Sequence, residues 1–195
     1  MRVDKKPAIF LDRDGTINEE VGYLDSLNKL KIYPFSATAI KILKENGFFV
    51  IVITNQSGVA RGFFDEELVI KVHSIIDDYL KRRGALIDAF YYCPHHPTEG
   101  REPYRRACSC RKPDIGMILQ AAEDFPIDLA RSYLVGDTLR DIETGKRAGL
   151  KTILLRTGFG KDDEASLDNR SLLYPHFICD DLLAAVKIII DTRAK

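Results

Sequence analysis

The chain has no excess of either charge. Its 29 lysines and arginines balance 29 aspartates and glutamates, for a formal net charge of zero. A general polyanion binder carries a basic surplus, so a nucleic-acid scaffold role is disfavoured. No apolar run reaches the roughly 18 residues that a membrane span requires. The basic start, Met1 to Lys6, is followed by an apolar stretch that stops at Leu11, too short for the core of a secretory signal. Internal repeats and low-complexity linkers are missing as well. Cysteine is scarce: of four, Cys93, Cys108 and Cys110 are bunched and Cys179 stands apart in an apolar run. A Cys108–Cys110 disulfide would close a small strained ring, and no export signal is read, so free thiols in a cytoplasmic protein are expected.

What is present is the composition of a folded domain. With 195 residues, 45% hydrophobic and 30% charged, the chain suits one domain over 1–195 with a real core, and is short for two. Apolar runs at Ala8–Leu11, Phe48–Thr54, Ala89–Tyr92, Tyr133–Val135, Thr152–Leu155 and Phe177–Cys179 read as strands, mostly without polar alternation, as in sheets covered on both faces. Helical patterns lie between them: Ser36 to about Asn46, with Ser36 as cap and Gly47 as stop, and Asp65 to about Arg83, capped by Asp65. Further helices are read from near Asp114, from near Leu139, and over Asp180–Asp191. The alternation predicts an α/β fold, a doubly wound, Rossmann-like parallel sheet. Pro94 to Pro113 breaks the rhythm with prolines and charges and little that could form a core; such a loop is functional or held by something else.

Four short segments carry candidate chemistry. Phe10-Leu11-Asp12-Arg13-Asp14-Gly15-Thr16 ends a buried strand in two carboxylates, which resist joint ionisation unless they share a cation or proton. Val52-Ile53-Thr54-Asn55-Gln56-Ser57-Gly58 ends another in hydroxyls and amides suited to phosphate oxygens. Arg111-Lys112-Pro113 supplies two adjacent cations, one able to bind phosphate through two bonds and one a point charge. In Leu134-Val135-Gly136-Asp137-Thr138-Leu139-Arg140-Asp141 a strand ends in an acid that can complete a hard-cation site with Asp12, unless it simply caps the next helix. Taken singly, each segment has an ordinary reading as a polar turn or a solvated surface.

In this order, acid pair, Thr54, Lys112 and Asp137 resemble the haloacid dehalogenase-like phosphatase superfamily, over roughly Ala8 to Gly160. The resemblance implies Asp12 as nucleophile and Asp14 as general acid/base. It also implies Thr54 and Lys112 as stabilisers of the transferring phosphoryl group. Magnesium would lie between Asp12, the Asp14 carbonyl and Asp137, with Asp141 orienting that shell.

Cys93-Pro94-His95-His96-Pro97 and Cys108-Ser109-Cys110 supply three thiolates and an imidazole, a donor set for structural zinc that would clamp a loop of about 93–113. His95 is preferred over His96, because two residues along an extended segment return to the side of Cys93. The cysteine and histidine segments, with the motifs above, resemble the D-glycero-D-manno-heptose 1,7-bisphosphate 7-phosphatase family. The resemblance implies a sugar bisphosphate substrate lined by Glu20, Val21, Gly22, Tyr23, Asn55, Gln56 and Ser57 and recognised by Arg111. Thr138 stands where that family often has a lysine. No large insertion separates Asp14 from Thr54, so no large cap domain and an open site are expected. A monomer with no membrane or nucleic-acid partner is expected. Histidinol-phosphate phosphatase and a non-catalytic zinc-stabilised binding module are the rival readings.

Overall fold

The computed structural model describes residues 4–168 and 172–193; residues 1–3 of the basic start lie outside this range. Six strands form one wholly parallel sheet: β1 (Ala8–Leu11), β2 (Phe49–Asn55), β3 (Ala89–Cys93), β4 (Tyr133–Gly136), β5 (Lys151–Leu155) and β6 (Phe177–Cys179), in the order β3-β2-β1-β4-β5-β6. Strand alternation sorts side chains into two cores. Ile9, Leu11, Val50, Val52, Tyr133 and Val135 face one layer, while Ala8, Phe10, Ile51, Ile53 and Leu134 face the other. Each fully buried Ile, Leu or Phe contributes about 1.5–3 kcal/mol before entropy is counted. That is why these strands lack polar alternation.

The first layer is completed by α1 (Ser36–Glu45), α3 (Glu66–Lys81) and α7 (Leu182–Arg193), through Ile40, Leu43, Val72, Ile76, Leu80, Val186 and Ile189. Across the sheet, α4 (Gly116–Asp124) brings Met117, Ile118 and Ala121, and α5 (Leu139–Arg147) packs on β4 and β5. The read strands and main helices are present with ends shifted by a residue or two. Two short helices were not read from the sequence, α2 (Gly58–Arg61) and α6 (Gly160–Ala165). Asp65 caps α3 by accepting from the Leu68 amide at 2.8 Å. Ser36 does not cap α1. The cap position is Phe35, and the Ser36 hydroxyl instead donates to the Ile17 carbonyl at 2.8 Å, tying the helix to the loop after β1.

The chain winds outward from β1 in one direction and from β4 in the other. The crevice at their carboxyl ends is therefore the switch point where such sheets bind ligands. Between β1 and α1 there is one turn of 3-10 helix at Leu27–Lys29 and no inserted domain. No helix or strand lies between Cys93 and Gly116. That loop docks on α2: the Ala60 amide donates to Pro94 at 3.2 Å and the Arg101 amide to Ala60 at 2.9 Å. Gly100 is required there, since a Cβ would fall 2.0 Å from the Ala60 carbonyl oxygen. Among the described residues no helix is long and apolar enough to cross a membrane.

Candidate active site

Three of the sheet's strands deliver one functional side chain each. Asp12 follows β1, its amide donating to the Val135 carbonyl at 3.0 Å; Thr54 lies near the end of β2; Asp137 follows β4. After Asp12 the chain turns through Gly15, whose φ of +74° is the left-handed conformation that glycine adopts without strain. Space requires glycine too, since a Cβ would lie 2.1 Å from an Asp137 carboxylate oxygen.

Asp14 is held as an anion by four donors. Arg13 gives Nε to Oδ1 at 3.1 Å and Nη2 to Oδ2 at 2.8 Å; Asn18 gives Nδ2 to Oδ1 at 2.8 Å, and Gln56 gives Nε2 to Oδ2 at 2.9 Å. Burial alone would raise this carboxyl, but the Arg13 charge and these bonds outweigh it and keep Asp14 below the usual range. Arg13 is itself buried, at 1% exposure. Its third nitrogen, Nη1, lies 3.3 Å from His73 Nε2 on α3. Burial and the Arg13 charge push His73 down to about 3, so the ring is neutral and accepts from the guanidinium.

Lys112 is the central cation. Only 2% exposed, its Nζ donates to Asp141 at 2.6 Å and to the Ile53 carbonyl at 3.0 Å, and lies 3.0 Å from Asp12 Oδ2. Burial would lower its pKa, yet Asp12 and Asp141 more than compensate and raise it. Asn55 fixes the Lys112 backbone through two bonds of 3.0 Å. Asp141 also shares a capping box with Thr138, which opens α5. The cap is thus Thr138 and not Asp137, whose carboxylate turns into the site and accepts from the Phe159 amide at 2.9 Å. Gly136 allows the Asp141 carboxylate to sit where its own Cβ would be 2.4 Å from it.

These acids outnumber the cations beside them. Burial, with the Asp141 and Asp14 charges and against Lys112, pushes Asp12 up to about 7. Burial and the charges of Asp12 and Asp141 push Asp137 up to about 9. Carboxylate oxygens of Asp12, Asp137 and Asp141 all lie within 4.8 Å of one another. A buried oxygen cluster with this charge deficit suits a hard divalent cation such as magnesium. Among the described residues Asp137 accepts only the Phe159 amide and Asp12 only the Arg13 amide beside the Lys112 ammonium, so these two side chains would hold it, while Asp141 spends both oxygens on Lys112 and Thr138.

A cavity of about 260 Å³ opens above this floor. Glu20, Gly22, Tyr23, Asn55, Gln56, Ser57 and Arg111 line it, as expected; Val21 does not, and is an exposed side chain outside it. Sequence reading also passed over wall residues Arg61, Arg140 and Phe159, and the Arg13–His73 buttress. The available signal for the buttress was a histidine on an otherwise apolar helix face, among Val69, Val72 and Ile76.

The second cluster lies on the docked loop. Cys93, Cys108 and Cys110 have Sγ–Sγ distances of 3.2–3.5 Å, and His95 Nδ1 lies 3.7 Å from Cys93 Sγ and 3.5 Å from Cys110 Sγ. Tetrahedral zinc with Zn–S near 2.3 Å separates its sulfurs by about 3.8 Å, so this donor set fits with a small expansion. Contact with Cys93 lowers the Cys110 thiol, while contact with Cys110 and burial raise Cys93 and Cys108, so Cys110 is the first of the three to give up its proton. His96 is turned away: its Nδ1 accepts from the Glu99 amide at 2.9 Å and its Nε2 faces Arg61 at 3.3 Å. Cys179 is a buried core thiol.

Comparison with known proteins bears on this geometry. The family model Hydrolase_like, described as HAD-hyrolase-like, matches residues 109–185. The D-glycero-beta-D-manno-heptose-1,7-bisphosphate 7-phosphatase of Photorhabdus laumondii is 42% identical over 160 residues, 82% of this chain and 85% of that protein. The protein of the same name from Escherichia coli K12 is 44% identical over 153 residues, 78% of this chain and 80% of its own. The crystal structure of D,D-heptose 1,7-bisphosphate phosphatase from B. bronchiseptica, complexed with magnesium and phosphate, superposes with a TM-score of 0.82 at 33% identity. That match covers 96% of this chain and 99% of that one. With this similarity running nearly end to end, and with the acids, threonine and lysine gathered at one switch point, the chain belongs to the heptose 1,7-bisphosphate 7-phosphatase family of HAD-like hydrolases.

Proposed function

We propose that this chain hydrolyses the C7 phosphate of D-glycero-β-D-manno-heptose 1,7-bisphosphate through a phosphoryl group carried on Asp12. The observation that carries the reading is the convergence of Asp12, Thr54, Lys112 and Asp137 on one cavity in a member of this family. Asp12 offers a carboxylate oxygen to phosphorus while Lys112 neutralises it from behind at 3.0 Å. Thr54 Oγ accepts from Gln56 Nε2 at 2.9 Å, which leaves its own O–H free to donate to a phosphoryl oxygen. Magnesium held by Asp12, the Asp14 carbonyl and Asp137 would offset the mutual repulsion of the anionic nucleophile and phosphate. The water that cleaves the phosphoaspartate needs a base, and Asp14 is held in its ionised form by Arg13, Asn18 and Gln56. Its acid role, in the first half-reaction, needs the proton that a neighbouring phosphate anion favours by raising the carboxyl's pKa. Phosphoryl transfer rests on positioning and electrostatics, and Asp12, Asp14, Lys112 and Asp141 are each fixed by at least two neighbouring groups.

Zinc on Cys93, His95, Cys108 and Cys110 is part of the same proposal, as a structural clamp. Cys110 adjoins Arg111 and Lys112, and the Arg111 guanidinium donates to the His95 carbonyl at 3.1 Å, so fixing the loop fixes both cations. Thiolates in this role suit a reducing, cytoplasmic setting. The arginines on the cavity wall oppose a cationic substrate such as histidinol phosphate. A phosphate-release panel tests the reading, with both anomers of the heptose bisphosphate, histidinol phosphate and a 3′-phosphorylated oligonucleotide. The β-anomer is expected to turn over fastest; preference for histidinol phosphate would overturn the substrate while sparing the chemistry. Equal phosphate release by wild type and Asp12→Asn would point to a binding module.

A further inference from the structure

The acceptor capacity of Asp14 is full. Its two oxygens offer about four lone-pair sites. Four donors occupy them: Arg13 Nε and Asn18 on Oδ1, Arg13 Nη2 and Gln56 on Oδ2. A carboxylate saturated in this way exchanges a proton with substrate only when one donor gives way. Of the donor residues, Gln56 lines the cavity with Asp14, while Arg13 and Asn18 are buried outside it. Oδ2, covered by Gln56, is therefore the oxygen that reaches a substrate, and its aim depends on the donors that stay in place.

Arg13 is the donor best able to set that aim. Nε and Nη2 present a planar fork to the two Asp14 oxygens, so the plane of the guanidinium fixes the plane of the carboxylate. Among the described residues the only acceptor of the remaining nitrogen, Nη1, is His73 Nε2 at 3.3 Å. Arginine carries no acceptor atom, so Nη1 donates and the proton of the neutral ring sits on Nδ1. The His73 ring is held in turn by two rings of β3. It stacks on Phe90 with centroids 4.8 Å apart and meets Tyr92 edge-on at 5.8 Å, two residues that share one face of the strand. His73 is buried on α3 among Val69, Val72 and Ile76 and does not line the cavity. A leucine would pack on that face without the desolvation that a polar ring costs.

We infer that His73 is a positioning residue for the reaction: by accepting from Arg13 Nη1 it keeps the guanidinium fork, and through it the Asp14 carboxyl, aimed at the leaving oxygen of the substrate. The inference rests on the reading of Asp14 as acid and base above. In the first half-reaction an Asp12 oxygen bonds to phosphorus as the bond from phosphorus to the sugar oxygen breaks, and the Asp14 proton passes to that sugar oxygen. His73 itself neither gains nor loses a proton.

Three variants separate this role from packing. His73→Phe keeps a ring against Phe90 but turns a positively polarised ring edge toward Arg13 in place of an acceptor. His73→Leu removes the acceptor with a smaller side chain, should the phenyl ring not be accommodated. His73→Gln returns an acceptor close to the position of Nε2. Their kcat/KM values are compared on the heptose 1,7-bisphosphate, whose alkoxide needs a proton to leave, and on p-nitrophenyl phosphate, whose aryloxide leaves without one. On the bisphosphate the Phe and Leu variants are expected to lose roughly ten- to a hundredfold, part of the 10²–10⁴-fold that a positioned acid typically supplies. On the aryl phosphate the loss should stay within about threefold, and His73→Gln should recover most of the activity on the bisphosphate. A folding defect would lower both substrates alike. An equal loss on both, no loss on the bisphosphate, or a glutamine variant as slow as the phenylalanine one overturns the positioning role and leaves the phosphatase reading standing. Asp14→Asn is the control for that reading: if it turns over the bisphosphate like wild type, the acid–base assignment falls and the role of His73 falls with it.

Discussion

Replacing Lys112 by methionine removes one charge from the most crowded electrostatic point of the molecule and nearly preserves its length. In the folded protein Lys112 is 2% exposed and lies between Asp12 and Asp141, the latter fully buried. Breaking a buried ion pair by removing one partner costs about 3–5 kcal/mol, because the remaining charge is left uncompensated. For a chain of this size each kcal/mol lowers Tm by about 2–4 °C, so a drop of roughly 6–20 °C is expected. The sign of its pH dependence follows from the acids. Asp12 and Asp137 are raised in the folded state, to about 7 and about 9, from ordinary values near 3.8. A raised carboxyl contributes its full stability at pH below the unfolded value and loses it as pH rises through the folded one. With Lys112 gone, Asp12 loses its main lowering influence, so the deficit should be larger near pH 8 than near pH 5.5. Thermal unfolding at both pH values, with and without magnesium, reads this directly. Magnesium should restore part of the lost Tm, while turnover stays down by about a hundredfold or more for want of the phosphoryl stabiliser. A variant as stable as wild type near pH 8, or one whose deficit deepens on acidification, would refute the reasoning.

Other outcomes follow from the same contacts. Gly158→Ala places a Cβ 1.9 Å from Asp137 Oδ2 at a φ of +53°, so magnesium titrations of activity should show weakened metal affinity. Gly84→Ala is the control: its φ is +73° but a Cβ meets only the flexible end of Lys41 at 3.9 Å, so it should cost about 1–3 kcal/mol of stability and leave magnesium affinity alone. Chelation of zinc with magnesium kept saturating should lower phosphate release in step with the zinc freed, read by a metal-sensitive dye. Turnover that survives complete zinc loss would show that the loop does not hold Arg111 and Lys112 in place.

The strands were legible because burial on both faces left only apolar residues in them, and β1 and β6 keep their expected ends. Asp65 was legible as a cap because its side chain acts locally. Ser36 misled for the opposite reason: its hydroxyl found Ile17, nineteen residues away, and a local rule cannot see that partner. Helices α2 and α6, of four and six residues, are too short to show a helical period. The site's acids, threonine and lysine were readable from motif order. The Arg13–His73 buttress was not, since its two residues are sixty positions apart and meet only when α3 packs beneath the strand ends. Phe159, too, enters the site through its backbone amide on Asp137, a contact that side-chain chemistry does not announce.

The central claim is that Asp12, and no other carboxylate, carries the phosphoryl group. Crystals grown with magnesium and beryllium fluoride, a mimic of an acyl phosphate, test it most directly. The account predicts beryllium bonded to an Asp12 oxygen, with its fluorides against the Thr54 hydroxyl and the Lys112 ammonium. An adduct on Asp14 or Asp137, or an unmodified Asp12 beside a bound fluoride complex, would contradict it.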